Sequence, residues 1–231
     1  MNGLIATLSE LDQSLFLYLN SHHSPYWDAV MALFTGTGFW FLFYLPLLYI
    51  LIKKYRTKAV VILIILALAI TISDQFTGLI KHAVERLRPT HDPGLQSLVH
   101  YVVTKGGQYS FFSSHASNTF TVAVFTSLLF KNANYNLVIL AWATLVSYTR
   151  IYLGLHYPSD IFTGIIFGCL LGFGMFRLLI FMEKNFLLLR LPKLSETGME
   201  NRELRYVITI LLSMVVMTLL IVNRLQHYNF I

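Results

Sequence analysis

Charge is what this sequence has least of. Only 12% of its 231 residues are Asp, Glu, Lys or Arg, about half the share of an average soluble domain. An ordinary soluble fold is therefore excluded. Cysteine is nearly missing: the single Cys169 lies inside an apolar run, so no intramolecular disulfide can form and the redox compartment cannot be read from it. The N-terminus lacks a basic stretch and an obvious cleavage site, so no cleavable signal peptide is expected. Nor is there a basic stripe on a polar face. The formal charge is +6, but the basic residues sit between apolar runs, and no nucleic-acid partner is expected. No long repeat and no low-complexity tract stands out.

What the chain has in abundance is apolar surface. Hydrophobic residues make up 56% of it, and mean hydropathy is +0.63. A membrane span needs about 20 mostly apolar residues, and six segments qualify or nearly so: 28–52, 59–80, 116–130 (short), 136–153, 159–182 and 206–222. The stretch 4–19 is different. Its apolar residues recur at helical spacing, but Asp12, Gln13 and Ser14 disfavour burial in lipid, which points to an amphipathic helix along the membrane surface. Ser24-Pro25 then breaks the chain. The expectation is an all-α, polytopic transmembrane bundle. It divides into an interfacial helix (1–24), a five-helix core (25–182), a cytoplasmic loop (183–205) and a C-terminal sixth span (206–231).

Lys and Arg set the orientation. Lys53, Lys54, Arg56, Lys58, Lys131, Lys184, Arg190, Lys193, Arg202 and Arg205 fall at one end of the spans. Lys81, Arg86, Arg88, Lys105, Arg150 and Arg224 fall at the other. The bias widens if Lys81, Arg88 and Arg150 are kept for chemistry, so both termini and the 81–114 loop are expected outside the cytoplasm. Within the fifth span Gly164, Gly168 and Gly172 are four apart, a spacing that lets two helices approach closely in lipid.

Three short stretches at the outer ends of spans hold the unusual polar residues. In the first, 81–89, Lys81 and Arg88 lie seven apart, about two helical turns, and can bracket one dianion; the plainer reading is cations snorkelling to headgroups. In the second, 112–118, Ser113 suits the N-cap of the third span, where free N–H groups and the helix dipole face an anion and His115 sits in the first turn. A capping serine and a surface histidine are the plainer alternative. In the third, 149–160, Pro158 suits the start of the fifth span, with His156 just outside the helix and Asp160 in its first turn. A carboxylate there can accept the proton on one imidazole nitrogen and make the other more basic. Arg150 can reach the same pocket with a bidentate grip on phosphate. A structural His–Asp pair with an anchoring Arg would account for these three residues more simply. Ionisable residues at a membrane edge nonetheless favour function.

Taken together, Lys-x6-Arg-Pro, then Ser-x-His, then Arg-x5-His-x3-Asp resembles the type 2 phosphatidic acid phosphatase (PAP2) superfamily, which includes bacterial membrane lipid phosphatases. The resemblance runs from Lys81 to Asp160 by motif and over the first five spans by architecture. It departs at Phe112 and Ser114, where the family has Pro and Gly, and at Thr149, where it has Ser; the Ser114 side chain bears on the shape of the pocket. The resemblance implies a PAP2-like core and a two-step hydrolysis. His156 attacks phosphorus, Asp160 orients it, and His115 protonates the leaving oxygen and then activates water. Lys81, Arg88, Ser113, Ser114 and Arg150 hold the phosphate oxygens. It implies no metal and no cofactor. Asp74, inside the second span, is expected to pair with a buried group and has no catalytic role.

With the site at the membrane surface, the expected partners are the bilayer and a phosphorylated lipid such as undecaprenyl diphosphate, lipid A, phosphatidylglycerol phosphate or phosphatidic acid. The expected location is the inner (plasma) membrane, with the site facing the extracytoplasmic side; oligomeric state is not legible. A transporter or channel with a polar site near the outer surface is the alternative from another class, although transporters usually carry repeated halves and midplane sites. A phosphatase for soluble substrates, a vanadate-dependent peroxidase and a scaffold with a dead site are further alternatives.

Overall fold

The computed structural model describes residues 2–186 and 192–228. Arg190, counted above, lies outside the described residues. Apart from one isolated bridge between Leu87 and Tyr109, regular structure among the described residues is helical. The elements are α1 (Asn2–Asn20), α2 (Pro25–Phe34), a 3₁₀ turn (Thr37–Trp40), α3 (Phe41–Tyr55), α4 (Lys58–Val84), α5 (Ser114–Phe130), α6 (Ala133–Tyr152), α7 (Pro158–Asn185) and α8 (Asn201–His227). Among the described residues, four segments are long and apolar enough to cross a membrane: Thr37–Tyr55, Lys58–Val84, Pro158–Asn185 and Asn201–His227. Large apolar side chains such as Leu42, Ile64, Leu79, Leu170 and Met217 are exposed along them, as lipid-facing surfaces require.

The expected first span, 28–52, is not one helix. It breaks at Thr35-Gly36-Thr37-Gly38, where four weak helix formers follow one another; the Trp40 indole N–H donates to the Phe34 carbonyl at 2.8 Å and fixes the bend. Hydropathy averaged over the segment hid this break. The last helix begins at Asn201 rather than 206, because its first turn is polar. There the Glu203 carboxylate accepts from the Glu200 N–H at 2.9 Å, a cap that composition alone does not score.

Helix α5 is the centre of the bundle, with α4, α6 and α7 packed around it. The three glycines of α7 do what their spacing suggested. A Cβ on Gly164, Gly168 or Gly172 would lie 2.7, 2.4 or 2.6 Å from the carbonyl oxygens of Ser113, Ser117 and Thr121, so the α5–α7 seam closes to backbone contact. Below the site an aromatic core holds Trp40, Phe43, Phe130, Tyr135 and Trp142.

A smaller core of Phe16, Leu95, Val99, Ala116, Ile151, Tyr157 and Ile161 seats α1 on the site end. The Asn20 amide also donates to the carbonyls of His100, Ile151 and Tyr152. Thus Phe16 and Asn20, four residues apart, lie on the docked face of α1. Leu8, Leu11, Leu15 and Tyr18 lie on its exposed face. The loop 85–113 is fastened to α2 through His100, whose Nε2 lies 2.9 Å from Asp28 Oδ1 and whose ring stacks on His23.

Candidate active site

The site-bearing ends of α4, α5, α6 and α7 converge, and the three stretches meet there. Helix α4 ends at Glu85 in the left-handed conformation. The chain then pairs briefly with the returning strand: the Arg88 N–H donates to the Gln108 carbonyl at 3.0 Å and the Ser110 N–H to the Arg86 carbonyl at 2.8 Å. This pairing buries Arg88, whose Nε donates to the Tyr109 carbonyl at 3.2 Å. Lys81, one turn before the end of α4, donates from Nζ to Ser114 Oγ at 3.1 Å, and Thr77 Oγ1 lies 2.8 Å from the same oxygen. The side chain that replaces the family glycine is thus tied to the phosphate-binding lysine predicted from sequence. Ser113 is buried and caps α5, its Oγ accepting from the Ala116 N–H at 3.4 Å.

Helix α6 ends at Tyr152, and Gly154 just beyond it sits at φ +75° in the left-handed region a helix stop commonly uses. A Cβ there would also meet Val99 and the His100 carbonyl at 2.7 and 2.8 Å. The turn carries the chain back over the end of α6, with the Leu155 and His156 N–H groups donating to the Arg150 carbonyl at 3.0 and 3.2 Å. Pro158 then starts α7, and the Asp160 carboxylate caps it by accepting from the Tyr157 N–H at 2.9 Å through Oδ2. The same oxygen lies 3.4 Å from His156 Nδ1. That distance is looser than a hydrogen bond and would tighten as the ring acquires charge.

His156 is 1% exposed. Burial, followed by the charges of Arg88, Arg150 and Lys81, holds its imidazolium well below the ordinary histidine value. The ring is therefore neutral near pH 7, and one nitrogen keeps its lone pair. Arg150 is also buried. Its Nη1 donates to Thr35 Oγ1 at 2.6 Å, while its Nε has no partner among the described residues. Lys81, Arg88 and Arg150 give the pocket three cations, with Asp160 as the acidic group among its predicted residues.

His115 faces the pocket from the first turn of α5. It also lines a cavity of about 300 Å³, bounded by Thr35, Trp40, Tyr44, Asn118 and Trp142 among others. Asp74 pairs not with a buried group but with this cavity's rim: it is exposed, and the Asn118 amide donates to its Oδ1 at 2.8 Å.

All eight predicted residues come together. Arg86 and Asp12 were missed. Arg86 Nη1 donates to Asp160 Oδ1 at 3.0 Å and to Ser159 Oγ at 2.7 Å, Nη2 donates to Asp12 Oδ2 at 2.6 Å, and the guanidinium lies 3.9 Å over the Tyr157 ring. The available signal was an arginine inside the first motif stretch and an acid on an amphipathic helix. Nothing local pairs residues 74 positions apart.

Comparison with known proteins agrees with this architecture. The sequence pattern of the PAP2 superfamily matches residues 61–182. A lipid A 4′-phosphatase of Bacteroides thetaiotaomicron is 41% identical over 175 residues, covering 74% of this chain and 76% of that protein. A second lipid A 4′-phosphatase, from Porphyromonas gingivalis, is 32% identical, with 77% of each chain covered. The crystal structure of Aquifex aeolicus LpxE superposes with a TM-score of 0.58 at 26% identity, covering 72% of this chain and 95% of that one.

Proposed function

The chain belongs to the PAP2 superfamily, and on that premise we propose that it removes the 4′-phosphate of lipid A through a phosphohistidine on His156. That it is a multi-pass membrane lipid phosphatase of the PAP2 type follows from the family and its spans, which sets the transport alternative aside. The observation that carries the mechanism is the buried, neutral His156 backed by Asp160 and ringed by Lys81, Arg88 and Arg150. The choice of the 4′ position is supported by the two lipid A 4′-phosphatases, each of which matches about three quarters of the chain.

The unprotonated nitrogen of His156 attacks phosphorus, and the bond to the leaving sugar oxygen breaks. Burial and the surrounding cations hold the pKa of His115 down to about 3, so it gives that oxygen its proton once the bound phosphate dianion has offset those cations. Positive charge appears on the His156 ring, where Asp160 stabilises it and shares the remaining N–H. Lys81, Arg88 and Arg150 neutralise the equatorial oxygens as charge spreads over them. Water then attacks the phosphohistidine, His115 takes a proton from it, and inorganic phosphate leaves His156 neutral again. The cavity beside His115 receives part of the leaving group. The site faces the outer side of the inner membrane, a placement supported by the nine described basic residues at the opposite end of the bundle.

The test is phosphate release from lipid A carrying both phosphates, with mass spectrometry to locate the loss and His156→Ala as control. The expected result is loss at the 4′ position, none with the variant, and radiolabelled phosphate trapped on wild-type protein. Turnover by His156→Ala would overturn the mechanism; loss at another position would overturn the substrate.

A further inference from the structure

Asp160 is held from two directions. On one side it meets the nucleophile, with Oδ2 3.4 Å from His156 Nδ1. On the other, Oδ1 accepts from Arg86, which is bound in turn by Asp12 of α1. Arg86 is half-buried and held on three sides: Tyr157 lies under the guanidinium, Ser159 Oγ accepts from it, and Asp12 accepts from its other amino group. Asp12 does more than pair with Arg86. Its Oδ1 accepts from the Ser159 N–H at 2.9 Å, and its Oδ2 from Ser159 Oγ at 2.5 Å. Ser159 lies in the first turn of α7, beside Asp160, so Asp12 acts as a second cap on that helix.

We infer that Asp12 and Arg86 are positioning residues of the phosphatase, and that α1 serves as a brace which fixes the carboxylate orienting His156. The inference rests on the proposed role of His156. Asp12 lies four residues before Phe16 and eight before Asn20, so the docked face of α1 delivers it to Arg86, while Leu8, Leu11, Leu15 and Tyr18 cover the other face with apolar surface. One helix thus joins the membrane surface to the orienter. An orienting carboxylate must present one oxygen to the imidazole without turning toward another partner, and by analogy with the outer partners of carboxylate–histidine units at metal sites, removing such a holding group changes activity about 10- to 100-fold.

Charge gives the brace a signature that plain misfolding lacks. The groups facing His156 are Lys81 on α4, Arg88 on the loop, His115 on α5, Arg150 on α6 and Asp160 on α7. Arg86→Met removes the cation that shares Asp160, so the carboxylate favours the imidazolium more and the acid limb of kcat/KM moves to higher pH. Asp12→Asn leaves Arg86 more strongly positive toward Asp160, so the limb moves to lower pH.

The experiment measures phosphate release from lipid A carrying both phosphates, using the full-length protein in detergent, with melting curves for each variant. Expected is a kcat loss on the order of 100-fold for Arg86→Met and 10-fold for Asp12→Asn, with KM within about threefold. Arg86→Lys recovers part of the loss, and the double variant is no worse than Arg86→Met alone. If Arg86→Met fails to fold, Asp12→Asn and Arg86→Lys carry the test. Folded variants with wild-type kcat, effects confined to KM, or acid limbs moving the same way would overturn the brace. Turnover by His156→Ala would instead overturn the reading of the nucleophile; a dead His156→Ala beside fully active Asp12→Asn and Arg86→Lys would overturn the brace alone.

Discussion

Replacing Gly164 with alanine probes how the two halves of the site are registered. An added Cβ would lie 2.7 Å from the Ser113 carbonyl and 3.1 Å from Ala116 Cβ. Ordinary contact begins near 3.4 Å, so α5 and α7 must part by about 0.7 Å, and both sides of the clash are backbone or Cβ with no rotamer to yield. The bond from the Ser113 N–H to the Asp160 carbonyl, 3.1 Å long, crosses the seam at this level and would stretch beyond bonding range. Its loss costs about 1 kcal/mol and the overpacking about 1–3 kcal/mol. Alanine's better helix propensity offsets about 1 kcal/mol. The net destabilisation is therefore about 1–3 kcal/mol.

The catalytic effect should be larger, because His115 rides on α5 while His156 and Asp160 ride on α7 and its cap. Misplacement by about 1 Å can cost roughly 100-fold, so kcat should fall roughly 10- to 100-fold. The assay is kcat for lipid A phosphate release beside thermal melting. Gly168→Ala, with its tighter 2.4 Å clash one turn further from the site, should lose more stability and less kcat. Gly174→Ala, where nothing lies within 4 Å, should match wild type in both. Wild-type kcat in a folded Gly164→Ala would refute the argument that the seam sets the catalytic register.

Other outcomes follow from the same geometry. A nucleophilic imidazole works above its own pKa, and that of His156 is held well below 6.5 by burial and three cations; the acid limb of kcat/KM should therefore lie below 6.5, and Arg88→Met should move it upward, a shift that ionisation of the substrate cannot mimic because it is common to both enzymes. Ser114→Gly removes the oxygen that accepts from Lys81 and meets Thr77, and steady-state kinetics should show KM changed more than kcat. Val146 lines the cavity beside His115; Val146→Phe should raise KM for lipid A by roughly tenfold, about 1.4 kcal/mol, while turnover of a small water-soluble phosphate ester stays within twofold.

The proposed catalytic set could be picked out because membrane spans make polar residues conspicuous. His115, His156, Asp160 and the three cations stand at the ends of apolar runs, where burial would be costly without a purpose, and the close seam was readable from three glycines in register. The break at Thr35 was not, since hydropathy sums over a window while helix termination depends on a few consecutive weak formers. Asp12 and Arg86 were out of reach for another reason. Their partnership is made by the docking of α1, and the local sequence of each residue is equally compatible with a solvated charge. Asp74 was expected to find a buried partner and instead sits exposed beside Asn118.

The break at Thr35 has a thermodynamic consequence. Thr35 accepts from the Arg150 guanidinium and also lines the cavity next to His115, so on the proposed reading one residue belongs to both the headgroup grip and the pocket for the leaving group. Two subsites that share a wall residue are linked, and occupancy of either changes the free energy of filling the other by the same amount. Affinities measured separately for inorganic phosphate and for a phosphate-free lipid should therefore not sum to that of the intact substrate. The mismatch measures how strongly the broken first span couples head and body.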